Sequence, residues 1–404
     1  MVLATACGSN GSDAASPSSS PSAPAEPVEA GAASPRLAIT YDGGVQVLDA
    51  STLEVLSDES LDGFLRLNAA GDGRHFLVSA QGGFHVLDGG AWAEGHDDHA
   101  HYYTAESELT DVVLPAEEPG HVVGHAGRTA LFDDGTGDIT VFDSEDVADP
   151  DRHSRELTTP SVHHGVAVEL SDGSLLVSEG TEDARTGVRV LDAAGSELAA
   201  SDDCPGVHGE AVAAEDTAVV GCEDGVLIYR DGALTKVTSP DPYGRIGNQA
   251  GSPASSVVLG DYKSDPDAET ERPTRVSLID TETATLRLVD LPSSYWYRSL
   301  GRGENGEALV LGTDGSLHVI DPVAGTVVDS IPVIAPWDLS EDWQDPHPQL
   351  VVVGGTAYVT EPASTSVHAV DVTAGRVTAS GRLDVTPNEL AGVTGDVEEH
   401  SDHD

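Results

Sequence analysis

"ALFDDGTGDITVFD", residues 130–143, and "ALVLGTDGSLHVID", residues 308–321, follow one plan. An apolar run enters a Gly- and Asp-rich turn and leaves it as alternating apolar residues that end in Asp. Alternation with a period of two on either side of a tight turn signals a β-hairpin with one face on a core. The second strand of this hairpin recurs along the chain: "VQVLD" at 45, "FHVLD" at 84, "ITVFD" at 139, "VRVLD" at 188, "VSLID" at 276, "LHVID" at 317 and "VHAVD" at 367, with "VLIYRD" at 226 as a looser copy. Self-similarity at a regular interval decides the fold before composition does.

Most copies are followed by another strand, such as "STLEVLS" (51–57) or "AGTVVDSIPV" (324–333). A further strand precedes each pair, as in "HGVAVEL" (164–170), "HGEAVAA" (208–214) and "QLVVV" (349–353). Four strands per unit at a spacing of roughly the mid-forties predict an all-β protein, a β-propeller of eight four-stranded blades, with seven as the alternative. The first unit begins directly with "RLAITYDGGVQVLD" (36–49) and lacks an inner strand, whereas "NELAGVTG" (388–395) is left over at the other end. Using that C-terminal strand to complete the first blade closes the ring and removes both open sheet edges.

The propeller is therefore expected over 36–395. Residues 1–35, rich in Ser, Pro and Ala, cannot build a core and read as a disordered linker, and 396–404 read as a flexible, acidic, His-rich tail. Within the linker, "LATAC" ending at Cys7 has the form of a bacterial lipoprotein cleavage site, with only six residues ahead of it, so the signal reads as truncated and Cys7 as the lipidation site. Seventy acidic residues against nineteen basic ones give a formal charge of −51. That charge repels phosphate backbones and excludes nucleic acid as a partner; solubility explains it first and attraction for cations second. Export places Cys204 and Cys222 in an oxidising compartment, where a disulfide would close the loop that carries His208. A thiolate metal site is the alternative, without the close spacing that would favour it.

Counting back about ten residues from the second strand of each unit reaches the start of the innermost strand, beside the central channel. The aligned residues are Arg66, His121, His164, His208, Asn248, Arg298, His347 and Asn388, all polar. Three consecutive units supply His121, His164 and His208, and equivalent side chains on neighbouring inner strands converge, as three imidazoles do around zinc. A fourth ligand would come from His163, from His125, from a nearby carboxylate or from water. A one-residue shift reverses the face of a strand, so His163 and His164 are both candidates. His347 is expected across the channel, too far to join, and His85, His318 and His368 read as surface positions.

Two more clusters lie outside the ring. "HDDHAHYY" (96–103) offers His96, Asp97, Asp98, His99 and His101 between the third and fourth strands of the second unit, and "EEHSDHD" (398–404) offers His400 and His403 among acids. Such tracts bind divalent metals loosely and suit auxiliary metal capture. With no Met or Cys ligand in view, Zn2+ is favoured over copper; ligand type alone leaves nickel and cobalt open.

Taken together, "HDDHAHYYTAE" (96–106), "PGHVVGHAG" (119–127), "SVHHGVAVELSDGSLLVSEG" (161–180) and the "DCPGVHGEAV" (203–212) and "VVGCEDGVLIY" (219–229) segments resemble the AztD-type zinc metallochaperones, from about Arg36 to about Thr394. The resemblance implies an extracytoplasmic, monomeric β-propeller that is not an enzyme. Such a protein captures Zn2+ and passes it to the solute-binding protein of a zinc ABC importer, meeting a membrane only through a lipid anchor. Two other readings compete. A propeller lactonase would use the metal to activate water, with Glu210 as general base; a surface scaffold would use the propeller face without metal.

Overall fold

The computed structural model describes residues 1–2, 26–96 and 99–397. Among them the chain is built from β-strands, with two short 3-10 turns at Ser144–Asp146 and Pro362–Ser364 as its helical elements. Eight antiparallel sheets have four strands each and a ninth has three. A representative sheet runs in chain order through Pro119–His125, Arg128–Asp133, Asp138–Asp143 and Ser154–Thr158.

Burial changes across each sheet as the sequence dictates. The second strand of a unit, such as Thr217–Cys222, is covered on both faces and mostly apolar, whereas outer strands such as Ser154–Thr158 alternate exposed and half-buried residues. Neighbouring sheets pack face to face. Val168, Leu176 and Val190 of one sheet share a core cluster with Val220, Leu227 and Tyr229 of the next. Truncating a fully buried residue there, Leu176 for example, costs about 2–5 kcal/mol through lost transfer energy and the cavity left behind.

The Asp that ends most repeats has a local task. Asp49 Oδ1 accepts the backbone N–H groups of Ser51 and Thr52, Asp280 Oδ1 those of Glu282 and Thr283, and Asp321 Oδ1 those of Val323 and Ala324. These carboxylates fix the turn into the outer strand, which is why the motif survives while the residues around it vary within the chain.

Inner strands of successive sheets touch around a central channel. Arg66–Ala69 meets Pro119–His125, which meets Ala167–Glu169; further round, His208–Ala213 meets Gln249–Ala250, then Tyr295–Arg302, Leu350–Val353 and Leu390–Val393 follow. Leu390–Val393 contacts Arg66–Ala69 and pairs antiparallel with Arg36–Tyr41, with Arg36 opposite Val393 and Ile39 opposite Leu390. The C-terminal strand thus closes the ring as the leftover sequence at 388–395 implies.

One part of the expected linker is ordered differently. Val28–Ala30 pairs with His99–Thr104, which pairs with Ala91–His96, so residues 28–30 form the edge of the three-stranded sheet. This sheet interrupts the second unit between its third strand, Gly83–Asp88, and its outer strand, Glu108–Pro115. The hairpin's extended backbone offers free N–H and C=O groups along one edge, and three residues of the preceding segment satisfy them. Cys7 lies outside the described residues. No helix among the described residues is long and apolar enough to cross a membrane.

Candidate metal centre

His121 sits on the inner strand Pro119–His125, His164 lies just ahead of Ala167–Glu169, and His208 opens His208–Ala213. Three neighbouring sheets therefore deliver one imidazole each to the same end of the channel. One ring nitrogen from each histidine lies within 4.8 Å of the others, and the ring centroids are 5.0–5.6 Å apart.

Glycines make this convergence sterically possible. A Cβ at Gly165, just after His164, would lie 2.2 Å from the Phe132 ring. Gly209, just after His208, has φ +71° and a Cβ there would lie 2.4 Å from the Gly247 carbonyl oxygen. Gly120, just before His121, would meet Asp134 at 2.4 Å. The pairing of the His208 strand shifts register between His208 and Glu210, a bulge that glycine's access to positive φ permits.

Two of the three histidines are held from behind by hydrogen bonds. Nδ1–H of His208 donates to the Gly247 carbonyl at 2.6 Å, and Nδ1–H of His164 donates to Asp134 Oδ2 at 2.5 Å. His121 Nδ1 lies 3.2 Å from Glu210 Oε2. A carbonyl oxygen can only accept, so the neutral tautomer of His208 carries its lone pair on Nε2. The same holds for His164 against an ionised Asp134. Their Nε2 atoms face each other at 3.1 Å. Two lone pairs at that distance repel unless a proton or a metal ion lies between them. A tetrahedral zinc with Zn–N bonds near 2.0–2.1 Å separates its ligand nitrogens by about 3.3–3.4 Å, close to what is present.

Burial, then the neighbouring charge of His121, pushes the His208 imidazole well below its ordinary range; the Gly247 carbonyl opposes the shift, and His164 and Arg245 add to it. The ring therefore stays neutral, the state that binds a metal.

Two candidates for a fourth ligand are corrected. His163 is buried and faces away: Nδ1 bonds the Ser161 carbonyl at 2.9 Å, Nε2 meets Ser178 Oγ at 3.0 Å, and the ring packs on Phe132. Alternation along an extended chain puts consecutive residues on opposite faces, and His164 takes the channel side. His125, four residues along the strand from His121, is engaged by Asp216 at 2.5 Å, and Asp216 also accepts from Ser171. Among the described residues the ligand group contains no fourth member.

Other histidines sort themselves by packing. His347 is outside the ligand group, as expected, and lies in a buried loop: it stacks on Trp296 at 4.3 Å, donates to the Asp345 carbonyl and accepts from the Ser340 N–H. His318 is corrected from surface to fully buried, bonded to Ser330 Oγ, because the third strand of its sheet is covered on both faces. His96, His99 and His101 do gather on the inserted hairpin with ring centroids 5.1–6.2 Å apart, and His101 Nδ1 lies 3.2 Å from Glu29. Asp98, His400 and His403 lie outside the described residues. Cys204 and Cys222 form a disulfide that ties the segment leading into His208 to the strand Thr217–Cys222.

Sequence reasoning missed Asp134 and the Gly247 carbonyl. "FDDGTGD" reads as hairpin turn chemistry, and only the second Asp of the pair turns toward the channel; a backbone acceptor leaves no sequence signal at all.

Fold and site together define a β-propeller that presents three converging imidazoles at its channel, two of them hydrogen-bonded from behind. No family model matches the chain. The sequence is 26% identical over 371 residues to the zinc chaperone AztD of Citrobacter koseri, covering 89% of this chain and 86% of that protein. A crystal structure of Citrobacter koseri AztD matches with a TM-score of 0.79 at 25% identity, covering 91% of this chain and 100% of that one. Apo AztD from the same organism matches with a TM-score of 0.77 at 24% identity and equal coverage. The resemblance to AztD-type proteins read from the sequence is thus present in sequence and fold alike.

Proposed function

We propose that this chain is an extracytoplasmic zinc metallochaperone: it binds Zn2+ through His121, His164 and His208 and passes it to the solute-binding protein of a zinc ABC importer. The observation that carries this reading is the pair of Nε2 atoms at 3.1 Å whose partner nitrogens are committed to acceptors. Likeness to a zinc chaperone supports the choice of metal. Hydrogen bonds behind ligating histidines orient the rings and raise their basicity, so Asp134 and the Gly247 carbonyl belong to the site although neither touches the ion.

Three protein ligands leave one coordination position for an incoming group. Exchange with a partner then proceeds by adding one partner ligand before one histidine leaves, and the half-exposed His164 is the first to be displaced. His96, His99 and His101, with the acidic tail, serve as looser collectors. The Cys7 segment supplies a lipid anchor, and the chain works as a monomer.

The hydrolase reading is disfavoured by Glu210. Its carboxylate lies 3.2 Å from Nδ1 of His121, one of the three imidazoles it would have to leave free to bind the metal.

Stopped-flow transfer tests the proposal. Zinc-loaded protein mixed with the metal-free solute-binding protein of its importer should hand over zinc faster than a chelator of equal affinity strips it, with a rate that rises with partner concentration. A rate set only by spontaneous zinc release would contradict hand-over.

A further inference from the structure

The channel that holds the triad has a second, cationic wall. Only nineteen Lys and Arg residues occur in the chain, yet Arg66, Arg245, Lys263 and Arg298 line one cavity of about 560 Å³ with His121, His164 and His208. In a protein of formal charge −51 such a concentration needs a reason.

Local pairing is complete at Lys263 but not around the three arginines, which share two carboxylates, those of Glu389 and Glu223. Arg66 Nε lies 3.2 Å and an Arg298 terminal nitrogen 2.7 Å from the same carboxylate, that of the buried Glu389. One negative charge therefore serves two guanidinium groups. Among the described residues Nε of Arg66 and Nε of Arg298 are buried and have no aligned acceptor. Trp343 lies beside Arg66, its ring 5.7 Å from the guanidinium carbon. Lys263 is engaged by Glu271 and lies 3.8 Å from the buried Asp261, whereas one terminal nitrogen of Arg245 donates to the Gly206 carbonyl at 3.3 Å and reaches a half-exposed Glu223 only at 3.5 Å. Glu210 and Asp134, the acids in the lining, are turned to histidines.

We infer that this cavity binds a small polycarboxylate, one carboxylate on Arg66 and Arg298 and another on Arg245. Guanidinium forks suit planar carboxylates, and two separated cationic points select a ligand with two or more of them. The inference stands on the cationic wall alone and does not depend on zinc binding.

Calorimetry on the metal-free protein with citrate as probe tests it. Wild type should bind one citrate per chain saturably; Arg66→Gln, at a partly exposed side chain, should weaken binding about ten-fold or more with an unchanged melting transition. Inorganic phosphate, with one centre of charge, should bind at least about ten-fold more weakly than citrate. His121/His164/His208 triple-alanine protein should keep its citrate binding, so loss of the zinc reading would leave this result untouched. Absence of saturable citrate binding to wild type, equal binding by Arg66→Gln, or phosphate binding as tightly as citrate would each overturn the inference.

Discussion

At the scale of single residues, the site is a set of imidazoles whose chemistry is fixed from behind. Asp134 accepts from Nδ1 of His164 and from the Gly165 N–H, so it sets both ring and backbone. Asp134→Asn keeps the size but lets the amide present a donor, which releases the tautomer. Zinc affinity should fall about 10–100-fold with little change in folding, read by competition titration against a chelating dye. The histidines themselves were legible in the sequence because equivalent positions in repeated units must meet. Their supports were not: Asp134 hides in a turn, and Gly247 contributes only its backbone. The choice between His163 and His164 was equally beyond the sequence, since a bulge or a shift of one residue decides which side chain enters the channel.

At the scale of elements, the His-Gly pairs at 164–165 and 208–209 mark where an inner strand starts close against its neighbour. Gly209 is the more constrained, with positive φ inside a register shift and the acceptor of His208 in the way of any Cβ. Gly209→Ala should cost about 1–3 kcal/mol of stability through backbone strain. It should also weaken zinc binding, because the Gly247 carbonyl must retreat from His208. A thermal melt and a zinc titration on the same sample check both; lower stability with unchanged affinity would separate the bulge from the site. The repeated strands were readable to within a few residues because period-2 patterning and Asp-capped turns are local. The strand at Val28–Ala30 was not, since its pairing with His99–Thr104 is long-range and its composition reads as linker.

At the scale of the whole molecule, several buried histidines tie stability to pH. Burial lowers the proton affinity of His208, His318 and His347 below that of free imidazole. In the unfolded chain these rings take up protons as pH falls through about 6.5, while in the folded protein they stay neutral to lower pH. The unfolded state then binds more protons, so stability is fully present above about pH 6.5 and declines below it. Calorimetric melts of the metal-free protein between pH 7.5 and about 5.5, where carboxylates remain ionised, should show a falling melting temperature. Saturating zinc should raise the melting temperature most at the upper end, since protons compete with the metal for imidazole. The ring closure by residues 390–393 was readable from the sequence as an arithmetic consequence of a first unit short of one strand.

The central claim is that His121, His164 and His208 together form one metal site, and the most direct measurement is zinc stoichiometry and affinity by competition titration. Wild type should be compared with the His121/His164/His208 triple-alanine variant under identical salt and pH. Wild type should bind about one zinc tightly, and the variant should lose that binding and keep only the weak binding of the outlying histidine clusters. Tight binding of equal strength in the variant would contradict the claim and place the metal elsewhere.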